Sequence, residues 1–283
     1  MTELPDSRDS RGSPEQADLP AAGSGGAPEH DGPPSARLGV EKTTPVPPGP
    51  PPGWGGAKGI APGNWGINGV ILGIFVALFA TVILGAFVVA IGGGDDSEGV
   101  RLASQAALAV SLIGVAIGFA IYSGSRPPLA SLGFRRVGWG AVGLAFAAWL
   151  GYIIVAAQIA RLLAPEQEDV TRSLGVDEST IGLVIAGILI VVLAPLSEEI
   201  FFRGFMFAGL RRRMTLWPAA AISAVIWGAL HLTGGNLGVA ALLTVFGLLL
   251  AWLYEHTGSL WPPIIAHAFN NALAFTVLVA DLG

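Results

Sequence analysis

Cysteine is absent from this 283-residue chain, which excludes disulfides, thiolate metal sites and cysteine nucleophiles. Charge is also scarce: 12% of residues are Asp, Glu, Lys or Arg, about half the ~25% of an ordinary soluble domain. Lysine is rare beside arginine while Ala, Gly and Val abound, a composition that points to a bacterium of high GC content. There is no basic patch interleaved with aromatics, so nucleic acid is not an expected partner. H-E-x-x-H is missing, and with it the usual zinc helix. No G-x-S-G offers a serine nucleophile, and G-G-G-D at 92–95 lacks the Y-D segment that an aspartyl site in a membrane would need.

What fills the chain instead is apolar, at 52% of residues and a mean hydropathy of +0.64. Most of the 20 prolines lie in residues 1–65, with many glycines and charges of both signs. Such a segment cannot bury enough apolar surface to offset chain entropy and is expected to be a disordered tail. Its last run, G-I-A-P-G-N-W-G, is expected to rest at the bilayer surface. The first residues, M-T-E-L-P-D-S-R-D-S, lack the apolar core of a signal peptide, so the tail is expected to stay in the cytosol.

Residues 66–283 read as an all-α, polytopic transmembrane helix bundle of seven or eight helices. Apolar runs long enough for a bilayer core of ~30 Å fall near 69–91, 103–122, 138–160, 180–210, 216–232, 238–255 and 260–280. Their loops alternate in charge. Asp95, Asp96 and Glu98 follow the first run, then come Arg126, Arg135 and Arg136, then an acid-rich loop through Glu178, then Arg211–Arg213. The positive-inside rule places the N-terminus and the arginine loops in the cytosol, in the plasma (inner) membrane of a bacterium. Gly69/Gly73 and Gly114/Gly118 have the spacing of close helix contacts.

Ionisable residues inside such runs are costly, ~2.5–3.5 kcal/mol each or more, and so call for a reason. In L-A-P-L-S-E-E-I-F-F-R-G-F, Glu199 and Arg203 are i and i+4, with the acid first, the favourable order for an ion pair. Glu198 is rotated by ~100° and faces elsewhere. One carboxylate thus has a partner, and the unpaired one is a candidate general base. Pro195 should loosen the helix before it and free carbonyls that need polar neighbours. The bland alternative is a surface helix starting at Ser197 with two acids in its first turn; the apolar run that follows speaks against it. W-G-A-L-H puts Trp227 and His231 on one face, and H-A-F-N-N does the same for His267 and Asn271. Each pair taken alone could be interhelical glue. Counted from the intervening turns, Glu198, His231 and His267 fall at similar depth.

These segments resemble the three motifs of the CPBP family (CAAX proteases and bacteriocin-processing enzymes): EExxxR, FxxxH and HxxxN. L-A-S-L-G-F-R-R at 129–136 is similar to a segment ahead of the motifs in many members. The likeness covers residues 125–280, with Trp227 where the family usually has phenylalanine. It implies an intramembrane endopeptidase acting on a membrane-associated peptide or protein. By resemblance, Glu198 would activate water with help from His231, His267 and Asn271 would stabilise the oxyanion, and Glu199 and Arg203 would hold Glu198 in place. No cofactor is favoured; the alternative is zinc held by Glu198, His231 and His267 with water in the fourth position. A non-catalytic membrane protein (immunity factor, scaffold or carrier) using the same cluster is the rival function.

Overall fold

The computed structural model describes residues 63–94, 97–125, 127–163, 179–232 and 236–281. Nearly all of the expected tail, Arg126, most of the acid-rich loop and T-G-G at 233–235 lie outside them. The described residues form helices and connections only. They are α1 (Ile67–Ile91), α2 (Glu98–Tyr122), the short α3 (Pro128–Ser131) and α4 (Trp139–Leu163). A long α5 (Thr180–Arg211) follows, then α6 (Leu216–Ala229), α7 (Leu237–Thr257) and α8 (Trp261–Asp281). Six of these, all but α3 and α6, are long and apolar enough to cross a bilayer. The protein is a multi-pass membrane protein.

The expected seventh crossing is the exception. Helix α6 has 14 residues, about 21 Å of rise, and is too short to cross ~30 Å of hydrocarbon. It pairs with α7 as a hairpin built on small residues. A Cβ added to Gly228 would lie 2.3 Å from Thr244 Oγ1, and one on Gly247 would lie 2.9 Å from the Ala224 Cβ. Close approach therefore depends on glycines other than those expected. Around Gly114 and Gly118 there is open space, and Gly73 meets the Phe205 and Phe119 rings rather than a neighbouring backbone.

Helix α5 is the axis of the bundle, packed against α2, α6, α7 and α8. It runs unbroken through Pro195, so the surface-helix alternative is discarded. It is also wound irregularly: Leu189–Leu193 and Glu199–Phe207 are π-helical, closing hydrogen bonds one residue later than an α-helix does. Every residue of the second stretch is buried.

One end of the bundle carries Arg135, Arg136 and Arg211–Arg213. Arg211 forms a two-pronged pair with Glu255 (Nη2–Oε1 2.5 Å, Nε–Oε2 3.1 Å) and donates to the Met214 carbonyl at 2.8 Å. The 129–136 segment docks at this same end. Tyr254 Oη donates to the Leu132 carbonyl, Ser259 Oγ to that of Arg135, and Leu260 N to that of Gly133. Gly133 has φ +105°, and any Cβ there would strike the Tyr254 ring. Exposed Tyr122, Trp139 and Trp217 border this end, as aromatic residues do at a membrane interface.

The run before α1 differs from expectation. Trp65 is buried rather than resting on a surface. Its Nε1 donates to the Phe205 carbonyl at 2.8 Å, and its ring lies 5.5 Å from that of Phe205. A buried indole N–H needs an acceptor. Phe205 supplies one near the end of the π-helical stretch, where the ladder changes register.

Breaking the Arg211–Glu255 pair from one side strands a buried charge. Arg211→Ala is expected to cost about 3–5 kcal/mol of stability, read by unfolding in detergent. Replacing both residues by leucine should cost less than either single change to alanine.

Candidate functional site

The site is assembled at mid-length of α5 from that helix, α6, α7 and α8. Glu199 and Arg203 are both fully buried, and Arg203 Nη1 donates to Glu199 Oε1 at 2.8 Å. Arg203 also gives Nη2 to the Gly247 carbonyl at 3.3 Å, and its guanidinium lies 4.9 Å from the centre of the Trp227 ring. Glycine at 247 leaves the space, because a Cβ there would sit 3.2 Å from Arg203 Nη2.

His267 joins this pair. Its Nδ1 lies 2.9 Å from Glu199 Oε1, an oxygen that already accepts from arginine, so Nδ1 carries the proton in that bond. The ring is buried, edge-on to Trp227 at 5.3 Å and to Phe246 at 5.8 Å. Its other nitrogen, Nε2, faces Glu198 Oε2 across 4.0 Å. That gap is wide for a direct hydrogen bond but suits one bridging oxygen.

Glu198 differs from its neighbour in every respect that matters. Its side chain keeps 16% of its exposure, and Oε2 accepts from Trp227 Nε1 at 2.6 Å. Glu199 and Arg203, expected to support it, direct the hydrogen bonds seen here to each other, to His267 and to the Gly247 carbonyl. Those two hold His267, and the indole of Trp227 holds Glu198. Sequence reasoning noted Trp227 only as an aromatic beside the site; its N–H was the signal that could have identified it as a donor.

His231 sits at the frayed end of α6. There the backbone tightens, His231 N bonding the Gly228 carbonyl, so the Trp227 carbonyl loses its regular α-helical partner. The His231 ring replaces it, with Nδ1 2.9 Å from Trp227 O. Histidine often caps a helix C-terminus in this way. A carbonyl can only accept, so Nδ1 bears the proton, and in the neutral ring Nε2 is the basic nitrogen.

Asn271 is placed by the proline. In the first π-helical stretch Ala194 N–H bonds Leu189 O; in the same register Ile190 O would accept from residue 195, which is proline and has no N–H. Asn271 Nδ2 donates to Ile190 O instead, at 2.9 Å. The amide expected to serve an oxyanion thus spends one N–H on the backbone, with a second N–H and Oδ1 remaining.

Among the described residues no three His, Asp or Glu side chains stand in an arrangement that could hold a metal ion. Each ring bonds a partner through Nδ1, as metal-binding histidines commonly do, so these bonds do not tell against zinc. It is the placement of Glu198, His231 and His267 that does not form a three-ligand centre.

A helical membrane bundle with paired acids, two imidazoles and a guanidinium in its interior defines a class: membrane proteins that keep polar chemistry inside hydrocarbon. The family model described as type II CAAX prenyl endopeptidase, Rce1-like, matches residues 180–273, which contain every candidate residue above. The chain is 30% identical over 154 residues to an Escherichia coli protein, "Uncharacterized 24.3 kDa protein", covering 53% of this chain and 69% of that one. It is 36% identical over 80 residues to "Putative membrane peptidase YdiL" of Bacillus subtilis (strain 168), covering 28% of this chain and 32% of the relative. With human "CAAX prenyl protease 2" it shares 32% identity over 108 residues, covering 32% of this chain and 33% of the human one. The matched region thus spans about a third of the length of these last two. No solved structure matches. The chain belongs to the Rce1-like CAAX prenyl endopeptidase family.

If Asn271 satisfies a carbonyl orphaned by Pro195, Asn271→Leu should cost about 1–3 kcal/mol, the usual penalty of a buried unsatisfied group. The same change beside Pro195→Ala, which restores an N–H at 195, should cost less. Unfolding of the two single variants and the double variant in detergent checks both statements.

Proposed function

We propose that this protein is an intramembrane endopeptidase acting on a membrane-associated peptide or protein. The observation that carries the reading is the unequal treatment of two adjacent carboxylates. Glu199 is fully buried and gives Oε1 to both Arg203 and His267, whereas Glu198 is partly exposed and faces an imidazole nitrogen across a gap of one oxygen atom. A water bound there gives a proton to Glu198, with the basic nitrogen of His231 assisting, and the resulting hydroxide adds to the carbonyl carbon of the substrate. His267 and the remaining N–H of Asn271 receive the negative charge that develops on the carbonyl oxygen. When the C–N bond breaks, the proton held by Glu198 passes to the leaving amine, which balances the step. Glu199 acts at one remove: its carboxylate accepts from Nδ1 of His267 and so turns Nε2 toward the site.

No step in this scheme uses a metal ion. The support for that choice is the placement of Glu198, His231 and His267, which does not bring three ligands to one point among the described residues, and the indole N–H already on Glu198 Oε2. The arginine-bearing end of the bundle, with its exposed aromatics, is assigned to the cytosolic face of a bacterial inner membrane by the positive-inside rule. Bacteria generally lack prenylated proteins, so the substrate need not carry a prenyl group even though the human relative is named for one.

The reading is tested with purified protein in proteoliposomes and two internally quenched peptides, one S-farnesylated at a C-a-a-X end and one unmodified and apolar. Cleavage of at least one by the wild type is expected, with losses of at least about 10²-fold in Glu198→Gln, His231→Ala and His267→Ala. Activity should persist after metal is removed by chelation. Equal turnover in all variants would sink the proposal and favour a non-catalytic role.

A further inference from the structure

We propose that Trp227 is a positioning residue whose indole N–H holds Glu198 Oε2 and so keeps that carboxylate at the gap facing His267. The inference rests on the peptidase reading for its kinetic consequence, but its structural core stands alone. Trp227 Nε1 lies 2.6 Å from Glu198 Oε2, in the range of a short, charge-assisted hydrogen bond. The indole has little freedom to do otherwise. Trp227 is 1% exposed; the Arg203 guanidinium lies over its ring, and the His231, His267 and Phe246 rings touch it on other sides.

The consequence follows from carboxylate chemistry. An ionised carboxylate is acceptor-only, with two oxygens, and an unrestrained glutamate samples several rotamers. Here Glu198 has Arg203 and Glu199 on its own helix, with His231 beyond Trp227 on α6 and His267 4.0 Å away on α8. Without a tether its carboxylate could swing toward the Arg203 cation and leave the gap. The indole N–H prevents this by pinning Oε2, the oxygen that faces His267 Nε2 across the gap. An ionised carboxylate oxygen accepts more than one hydrogen bond, so the pinned oxygen can still take one from a water there. Phenylalanine at 227 would keep a ring over Arg203 but could not donate. In this chain the link between α6 and the acid of α5 is a hydrogen bond as well as a packing contact, and the Trp227 carbonyl extends that link to His231.

Two measurements test this. The first needs no substrate. In protein with ¹⁵N-indole tryptophan, the Trp227 Nε1–H signal, assigned by its loss in Trp227→Phe, should lie downfield and resist solvent exchange. It should move upfield and exchange faster in Glu198→Ala. An unchanged signal in Glu198→Ala overturns the proposal whether or not the protein cleaves peptides.

The second measurement uses the quenched peptide that the wild type cleaves. Trp227→Phe and a variant carrying β-(3-benzothienyl)alanine at 227, which keeps the indole shape but has no N–H, should both lose about 10-fold or more in kcat with little change in KM. Wild-type kcat in the benzothienyl variant would show that only shape matters, and the proposal fails. Should no form of the protein cleave either peptide while the indole signal still responds to Glu198→Ala, the peptidase reading fails and the tether stands.

Discussion

A carboxylate and a guanidinium taken out of water cost several kcal/mol each unless they are paired and their remaining hydrogen-bonding groups are met. Glu199 and Arg203, neither with any exposed side-chain surface, impose that requirement on everything around them. Arg203 needs further acceptors and finds the Gly247 carbonyl and the face of Trp227. Those contacts fix how near α7 and α6 can lie to α5, and glycine at 247 is what makes the approach sterically free. Glu199 in turn takes a third group, His267, and so ties α8 to the same point. The pair joins the four helices of the site, and the imidazole it orients is one of the groups to which chemistry is assigned.

The π-helical winding of α5 serves this arrangement. A wide turn displaces the register between side chains and leaves carbonyls without ladder partners. Two carbonyls along it are reached from distant parts of the chain: Ile190 by Asn271 on α8, and Phe205, whose oxygen shares the Ala208 N–H with that of Arg203, by Trp65 just ahead of α1. In a soluble protein water could satisfy them. Inside a bilayer they must be met by protein, so irregular winding at this site is possible only because particular side chains reach it.

Much of this was legible beforehand. Hydropathy alone marks the apolar helices, since hydrocarbon permits few alternatives to helix. The i, i+4 spacing of Glu199 and Arg203 also reveals that pair, whose bond is seen at 2.8 Å. The division of labour between the glutamates follows from a ~100° rotation, and the structure does keep one buried and one partly exposed. Other features were hidden for identifiable reasons. The π-helical stretches arise from tertiary demands on α5, and Pro195 announces only the loosening. The tether from Trp227 could not be seen because one side chain's direction toward another depends on the crossing of α5 and α6. Helix α6 read as a full span because apolar residues continue to Leu232, although the helix itself ends at Ala229. Trp65 was misplaced because a lone aromatic at a helix entrance reads equally well as an interface anchor.

The short length of α6 decides what stands beside the acid. A helix end leaves its last carbonyls without regular intrahelical partners, and lipid cannot supply donors. Those of Ile226, Gly228 and Ala229 are met by the backbone N–H groups of Leu230, His231 and Leu232. The one left over, that of Trp227, is met by the His231 ring. The end of α6 lies one turn from Trp227, which holds Glu198, so the group that closes this helix is brought next to the acid to which the reaction is assigned. A longer α6 would give the Trp227 carbonyl a backbone donor and remove the structural reason for an imidazole to turn toward it.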